Sequence, residues 1–243
     1  MTLVLVGAVG FLIGLVAHDL AIQSLDDDTH LRPWRGVCPR CRNERGWLDI
    51  RCDRCGRAIS REPLLASITA GTAVMFAITV GTGWELVAYL AFLLLSSALI
   101  VTDLEAFRIT DRINLPGTAL LAVLLVIAAA LDQNLGALIR GLAGAGAYFA
   151  GASLLFIAVR GRGFGAGDVK LAVQLGLFTA YLGWSVLGWA VFATAMIGGV
   201  IALVLVLGGA ATRKTELPYG PPMIIGAWTA IIMVGVGAIP VPS

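Results

Sequence analysis

The sequence predicts an all-α polytopic membrane protein, with about eight transmembrane helices and a cytoplasmic zinc-knuckle loop. Of its 243 residues, 58% are apolar and only 13% charged, and the mean hydropathy is +0.90, far above that of a soluble domain. Apolar runs of about 20 residues recur along the chain, the length a helix needs to cross the hydrocarbon, and in lipid a helix satisfies its own backbone. A single long polar stretch interrupts them, and it holds all four cysteines.

The apolar segments cover roughly 2–23, 63–82, 84–102, 115–131, 135–159, 169–183, 185–207 and 221–240. The first lacks a basic n-region and a clear A-x-A site, so it is expected to stay as a span and not be removed as a signal peptide. The chain therefore divides into a first transmembrane helix (1–24), a cytoplasmic four-cysteine zinc-binding loop (25–62) and a helical bundle (63–243). Loops rich in Lys and Arg remain cytoplasmic. Nine arginines lie from Arg32 to Arg61, Arg108 and Arg112 follow the third segment, Arg160, Arg162 and Lys170 flank the fifth-to-sixth connection, and Arg213 and Lys214 follow the seventh. The alternate connections carry no basic residue, which puts both termini outside; Arg140 alone breaks the alternation. With basic residues so explained, a net charge of +2 gives no indication of nucleic-acid binding.

The cysteines form two knuckles, Cys38-Pro-Arg-Cys41 and Cys52-Asp-Arg-Cys55. Two C-x-x-C turns can close a tetrahedron of thiolates around a structural Zn²⁺, leaving no open position for catalysis. Disulfides are the competing reading, but thiols stay reduced in the cytoplasm. A loop with so few aliphatic residues needs such a metal to order it.

Gly165-Ala-Gly-Asp168 places a carboxylate where one apolar segment ends and the next begins. Asp103, Glu105 and Asp111 follow the third segment, and Asp103 comes first after the uninterrupted apolar run, on the same expected face. Two carboxylates brought together share one proton and can activate water and protonate a leaving amine. Asp103 and Asp168 are therefore the candidate catalytic pair. Asp168, at a helix N-terminus, is the better base, and Asp103, at a C-terminus, the better carrier of the proton. The plainer readings are an N-cap for Asp168, a solvated loop acid for Asp103, and pairing of Glu105 and Asp111 with Arg108 or Arg112. Lys170 reads as a snorkelling side chain, and His18-Asp19 as a polar contact within the bundle. Trp84, Trp184 and Trp228 read as an interfacial belt, and Gly141-Leu-Ala-Gly144-Ala-Gly146 as a close-packing stripe.

Taken in order, the apolar first span, the C-x-x-C…C-x-x-C loop, Asp103 and Gly165-Ala-Gly-Asp168-Val-Lys-Leu resemble the type IV prepilin peptidases. Cys52-Asp-Arg-Cys55 running into Glu62-Pro63-Leu-Leu, and Leu217-Pro-Tyr-Gly-Pro221, extend the resemblance over most of the chain. It implies a membrane aspartic endopeptidase that cuts the basic leader from prepilins or type II secretion pseudopilins at the inner, cytoplasmic membrane face, with Asp103 and Asp168 as its pair. It also implies methylation of the new amine by S-adenosylmethionine. The chain departs from the family pattern at Gly14-Leu-Val-Ala-His18-Asp19, at Ala66, at Glu105 and at Ile109-Thr-Asp111, and no Gly-rich nucleotide loop is readable. Two other readings are an intramembrane aspartyl protease of other substrates and a zinc-stabilised scaffold or transporter subunit without chemistry.

Overall fold

Helices inside a bilayer gain little from hiding apolar surface, so small residues and polar contacts must select their neighbours. The computed structural model describes residues 1–25, 36–37, 41, 44–45, 52, 54–55, 62–160, 164–208 and 218–240. Among them are eight helices: α1 (Thr2–Ser24), α2 (Glu62–Val80), α3 (Trp84–Ala106), α4 (Asp111–Leu131), α5 (Leu135–Ala158), α6 (Ala166–Leu182), α7 (Trp184–Leu207) and α8 (Gly220–Gly235). Six are long and apolar enough to cross a membrane, and α8 is a shorter apolar helix. Between α1 and α2, strands β1 (Gly36–Val37) and β2 (Glu44–Arg45) pair antiparallel.

Three helix pairs dominate the packing: α1 with α2, α5 with α6, and α7 with α8. Each closes over glycine. A Cβ on Gly14 would stand 2.5 Å from Ala66 Cα; one on Gly144, 2.1 Å from Ala180 Cβ; and one on Gly226, 2.8 Å from the Ala190 carbonyl. The expected stripe on α5 is thus real at Gly141 and Gly144, but a Cβ on Gly146 meets nothing within 4 Å.

Helices α3 and α6 form the centre. Phe92 stacks on Phe178 at 4.5 Å between centroids and on Phe76 of α2 at 6.4 Å. Tyr89 donates to the Phe178 carbonyl at 2.8 Å. At 17 residues α6 is shorter than its neighbours; it rises about 26 Å, a little less than the hydrocarbon thickness. Its C-terminus is closed by Arg140, whose Nε and Nη2 donate to the carbonyls of Ala180 at 2.9 Å and Tyr181 at 2.6 Å. That accounts for the one arginine out of place: its charge satisfies a helix end.

Three expectations change. α3 runs on to Ala106, and α4 begins at Asp111, well before residue 115; Thr110 takes the extended N-cap conformation, so Pro116 falls in the second turn. Trp228 is no belt residue: it is 5% exposed and its indole N–H donates to Ser96 Oγ at 3.1 Å, whereas Trp84 and Trp184 are more than half exposed.

We expect Gly144→Leu to destabilise the protein by about 2 kcal/mol or more, as overpacking of a closed contact does. Gly146→Leu, with open space, should leave thermal unfolding in detergent within about 0.5 kcal/mol of the parent. Equal melting of the two variants would contradict this packing.

Candidate active site

Asp103 lies one turn before the end of α3, where Phe107 closes the helix with a left-handed φ of 52° and its N–H bonds the Asp103 carbonyl. The side chain is 4% exposed. Its Oδ2 accepts the backbone N–H of Gly220, the first residue of α8, at 3.0 Å. A Cβ on Gly220 would stand 2.8 Å from that same oxygen, so only glycine lets the amide approach.

Asp168 is the third residue of α6 and is 7% exposed. It is not the N-cap: Gly165 holds that position, and Asp168 Oδ2 reaches back to accept the Gly165 N–H at 2.7 Å. This is one half of a capping box, the half that consumes a carboxylate. Gly167 faces Ile109, whose Cβ would lie 2.9 Å from a Cβ placed there. Gly165 thus gives its amide to the carboxylate while itself staying exposed, and Gly167 serves the packing of Ile109.

Ile109 joins the two halves, since its Cδ1 would also meet a Cβ on Gly220 at 3.3 Å. The carboxylates are near enough for the charge of Asp103 to act on Asp168. Beside them, Phe164 meets Tyr219 edge to face at 5.4 Å. Burial, and then the charge of Asp168, push the Tyr219 phenol up, so it stays protonated near the pair. Gly220, Tyr219, Phe164 and Ile109 escape a sequence reading that looks for ionisable side chains; the stretch Leu217-Pro-Tyr-Gly-Pro221 was the available signal.

The other acids separate from the pair. Asp111 pairs with Lys170 across α4 and α6, both partly exposed, which corrects the expected Arg108 or Arg112 partner for Asp111 and the free snorkelling lysine. Below that pair Gln174 Nε2 donates to Asn114 Oδ1 at 3.1 Å, fully buried. His18 and Asp19 are buried at the end of α1, 4.0 Å apart, as a contact inside the bundle.

In the polar loop, the Sγ atoms of Cys41, Cys52 and Cys55 lie within 4.8 Å of one another, with Cys41 and Cys52 at 3.4 Å. None of those three is in a disulfide; Cys38 lies outside the described residues. Tetrahedral zinc with bonds of about 2.3 Å sets sulfurs about 3.8 Å apart, so the cluster fits a metal.

A helical membrane bundle holding a buried pair of carboxylates, with a cysteine cluster in its polar loop, is the class that fold and site define. Residues 87–207 match the type IV leader peptidase family, a segment that contains both aspartates. A prepilin leader peptidase/N-methyltransferase of Aeromonas salmonicida is 30% identical over 227 residues, covering 86% of this chain and 75% of that protein. Proteins of the same name from Pseudomonas aeruginosa and Bacillus subtilis are each 29% identical, over 211 and 210 residues, covering 81% and 82% of this chain and 70% and 81% of theirs. This chain belongs to the type IV leader peptidase family. No solved structure matches it.

The relatives' names raise the question of S-adenosylmethionine. A cavity of about 270 Å³ at the cysteine-loop ends of α1, α2 and α3 offers His18 and Glu105 as its polar side chains, the rest of its lining being Leu, Ile and Val. These two side chains do not by themselves define a site for it, and peptide hydrolysis runs without it.

Two outcomes test the site. Gly220→Ala should push the Asp103 carboxylate aside and cost at least about tenfold in kcat with little change in unfolding temperature; unchanged turnover would mean the Gly220 contact is idle. Purified protein should carry about one zinc equivalent by elemental analysis, lost in Cys52→Ser; retention of metal by that variant would place the ion elsewhere.

Proposed function

We propose that this chain is a membrane aspartic endopeptidase that removes the basic leader of type IV prepilins or type II secretion pseudopilins at the cytoplasmic face of the inner membrane. Asp103 and Asp168 are its catalytic pair and the cysteine loop holds a structural zinc. One observation carries the reading. Two carboxylates from different helices lie together, nearly fully buried, at the end of the bundle that also bears the cysteine loop. Structure alone gives little reason to keep them there, because a buried aspartate costs roughly 3 kcal/mol in a span.

The pair works with one shared proton. The ionised carboxylate takes a proton from water as the water oxygen attacks the scissile carbonyl carbon, and the protonated partner gives its proton to the carbonyl oxygen. The C–N bond then breaks as a carboxyl proton passes to the leaving nitrogen, releasing an acid and a free amine and restoring one proton to the pair. Each carboxylate keeps an oxygen on a glycine N–H, which fixes its rotamer through the cycle. The metal would be held by Cys41, Cys52 and Cys55 together with Cys38, and its chemistry is to order the loop. Methylation of the new amine is a second activity, supported by the names of the relatives.

Incubating purified protein with a prepilin bearing its leader, and reading products by mass spectrometry, tests this. We expect loss of the leader in the parent and a fall of at least about 10³-fold for Asp103→Asn and Asp168→Asn, both still membrane-inserted. Brisk cleavage by Asp168→Asn would sink the proposal, as would cleavage of unrelated transmembrane segments with the prepilin left intact. A 14 Da gain on the product would establish methyl transfer; on chemical grounds that is about the mass of one CH₂.

A further inference from the structure

Next to the pair, a cavity of about 380 Å³ opens between α5, α7 and the start of α8. Phe164 and Tyr219 form its rim, and Tyr148, Gly151, Leu187 and Met223 line it further in. The rim is tied to both aspartates by the chain itself. Phe164 precedes Gly165, whose amide holds Asp168, and Tyr219 precedes Gly220, whose amide holds Asp103. The phenols of Tyr148 and Tyr219 both feel the charge of Asp168. Along α7 its lining runs from Ala195 to Leu187, about 12 Å and away from the cysteine-loop end.

We propose that this cavity is the subsite for the first apolar side chains on the mature side of the cut. The subsite rests on the function proposed above, and charge and volume support it. A leader rich in positive charge cannot enter an apolar lining that leads into the membrane, so the segment that does enter lies on the other side of the scissile bond. A cavity of about 150 Å³ takes one benzene ring. The volume here accepts about two large aliphatic or aromatic groups, one helical turn apart, with the cut bond held at the rim beside Asp103 and Asp168.

Gly151 makes the test clean: it faces the cavity, and a Cβ there meets nothing within 4 Å, so a larger side chain fills the space without moving a helix. Two prepilins differing only in the residue after the cut, Phe or Ala, are compared in nanodiscs. We expect Gly151→Leu to lower the ratio of kcat/KM for Phe over Ala at least about tenfold, while Gly146→Leu, which lines no part of the cavity, leaves the ratio unchanged. An unchanged ratio in Gly151→Leu overturns the subsite and points to lipid filling the cavity. If the parent cuts neither prepilin, the function above fails, and the subsite is then judged by a benzophenone placed after the cut site in the Asp168→Asn protein: crosslinks on α5 or α7 support it, and their absence overturns it.

Discussion

Holding two carboxylates inside an apolar bundle is the constraint on which the rest of this structure depends. Burial strips most of their solvation, so each needs a donor that cannot rotate away, and the backbone supplies it. The backbone N–H groups of Gly165 and Gly220 reach the carboxylate oxygens at 2.7 and 3.0 Å. Gly220 meets that demand for Asp103, since a Cβ there would stand 2.8 Å from the carboxylate oxygen it bonds. The donors come from the N-termini of α6 and α8, where amides are without helical partners. The site thus uses groups that the fold would otherwise have to cap, and the two helix starts are locked to the ends of the two carboxylate side chains.

That arrangement is only as accurate as the position of α6. The helix is held along its whole length by contacts of different kinds. At one end Asp111 meets Lys170 and Asn114 meets Gln174. In the middle, Phe178 stacks on Phe92 and its carbonyl accepts from Tyr89, and Gly176 lies against Gly144 of α5. At the far end Arg140 closes its last carbonyls, while Tyr181 donates to Glu85 at 2.7 Å. Glycine contacts alone would permit α6 to slide along α5; polar contacts at both ends fix the register. Buried hydrogen bonds between transmembrane helices average well under 1 kcal/mol each, so position comes from their number and spacing.

The sequence makes the bundle legible because lipid demands a simple signal, a long apolar run, and eight such runs became eight helices. Boundaries were less legible. Hydropathy stops at charged residues, yet α3 carries Asp103 and Glu105 within its last turns, and α4 starts on Asp111 and Arg112. Asp103 and Asp168 stand out because an acid beside an apolar run is anomalous, and three of the cysteines stand together as their spacing suggests. Gly220 and Phe164 do not stand out, for their contribution is an amide position and a ring edge. Ala66, one of the departures from the family pattern, is fully buried between α1 and α2, its Cα 2.5 Å from where a Cβ on Gly14 would be.

The distribution of burial also says where the bundle leaves room. α3 is mostly enclosed, with 61% of its most apolar window buried, whereas α7 has 11% and α5 22%. Those two exposed helices flank the cavity whose lining includes Phe164 and Tyr219, the residues that precede Gly165 and Gly220. α7 is secured chiefly on its other side, through Gly226 against Thr194 and Tyr219 against Gly198. A wall fastened on one side and bare on the other leaves the gap toward α5 unfilled without weakening the centre, since the stacked rings lie on α2, α3 and α6, and the hydrogen bonds that place the carboxylates draw on α5 only at Arg140 and on α8 only at Gly220. Rigidity where the two carboxylates sit, and open apolar surface one helix away, follow from the same division of packing between the two halves of the bundle.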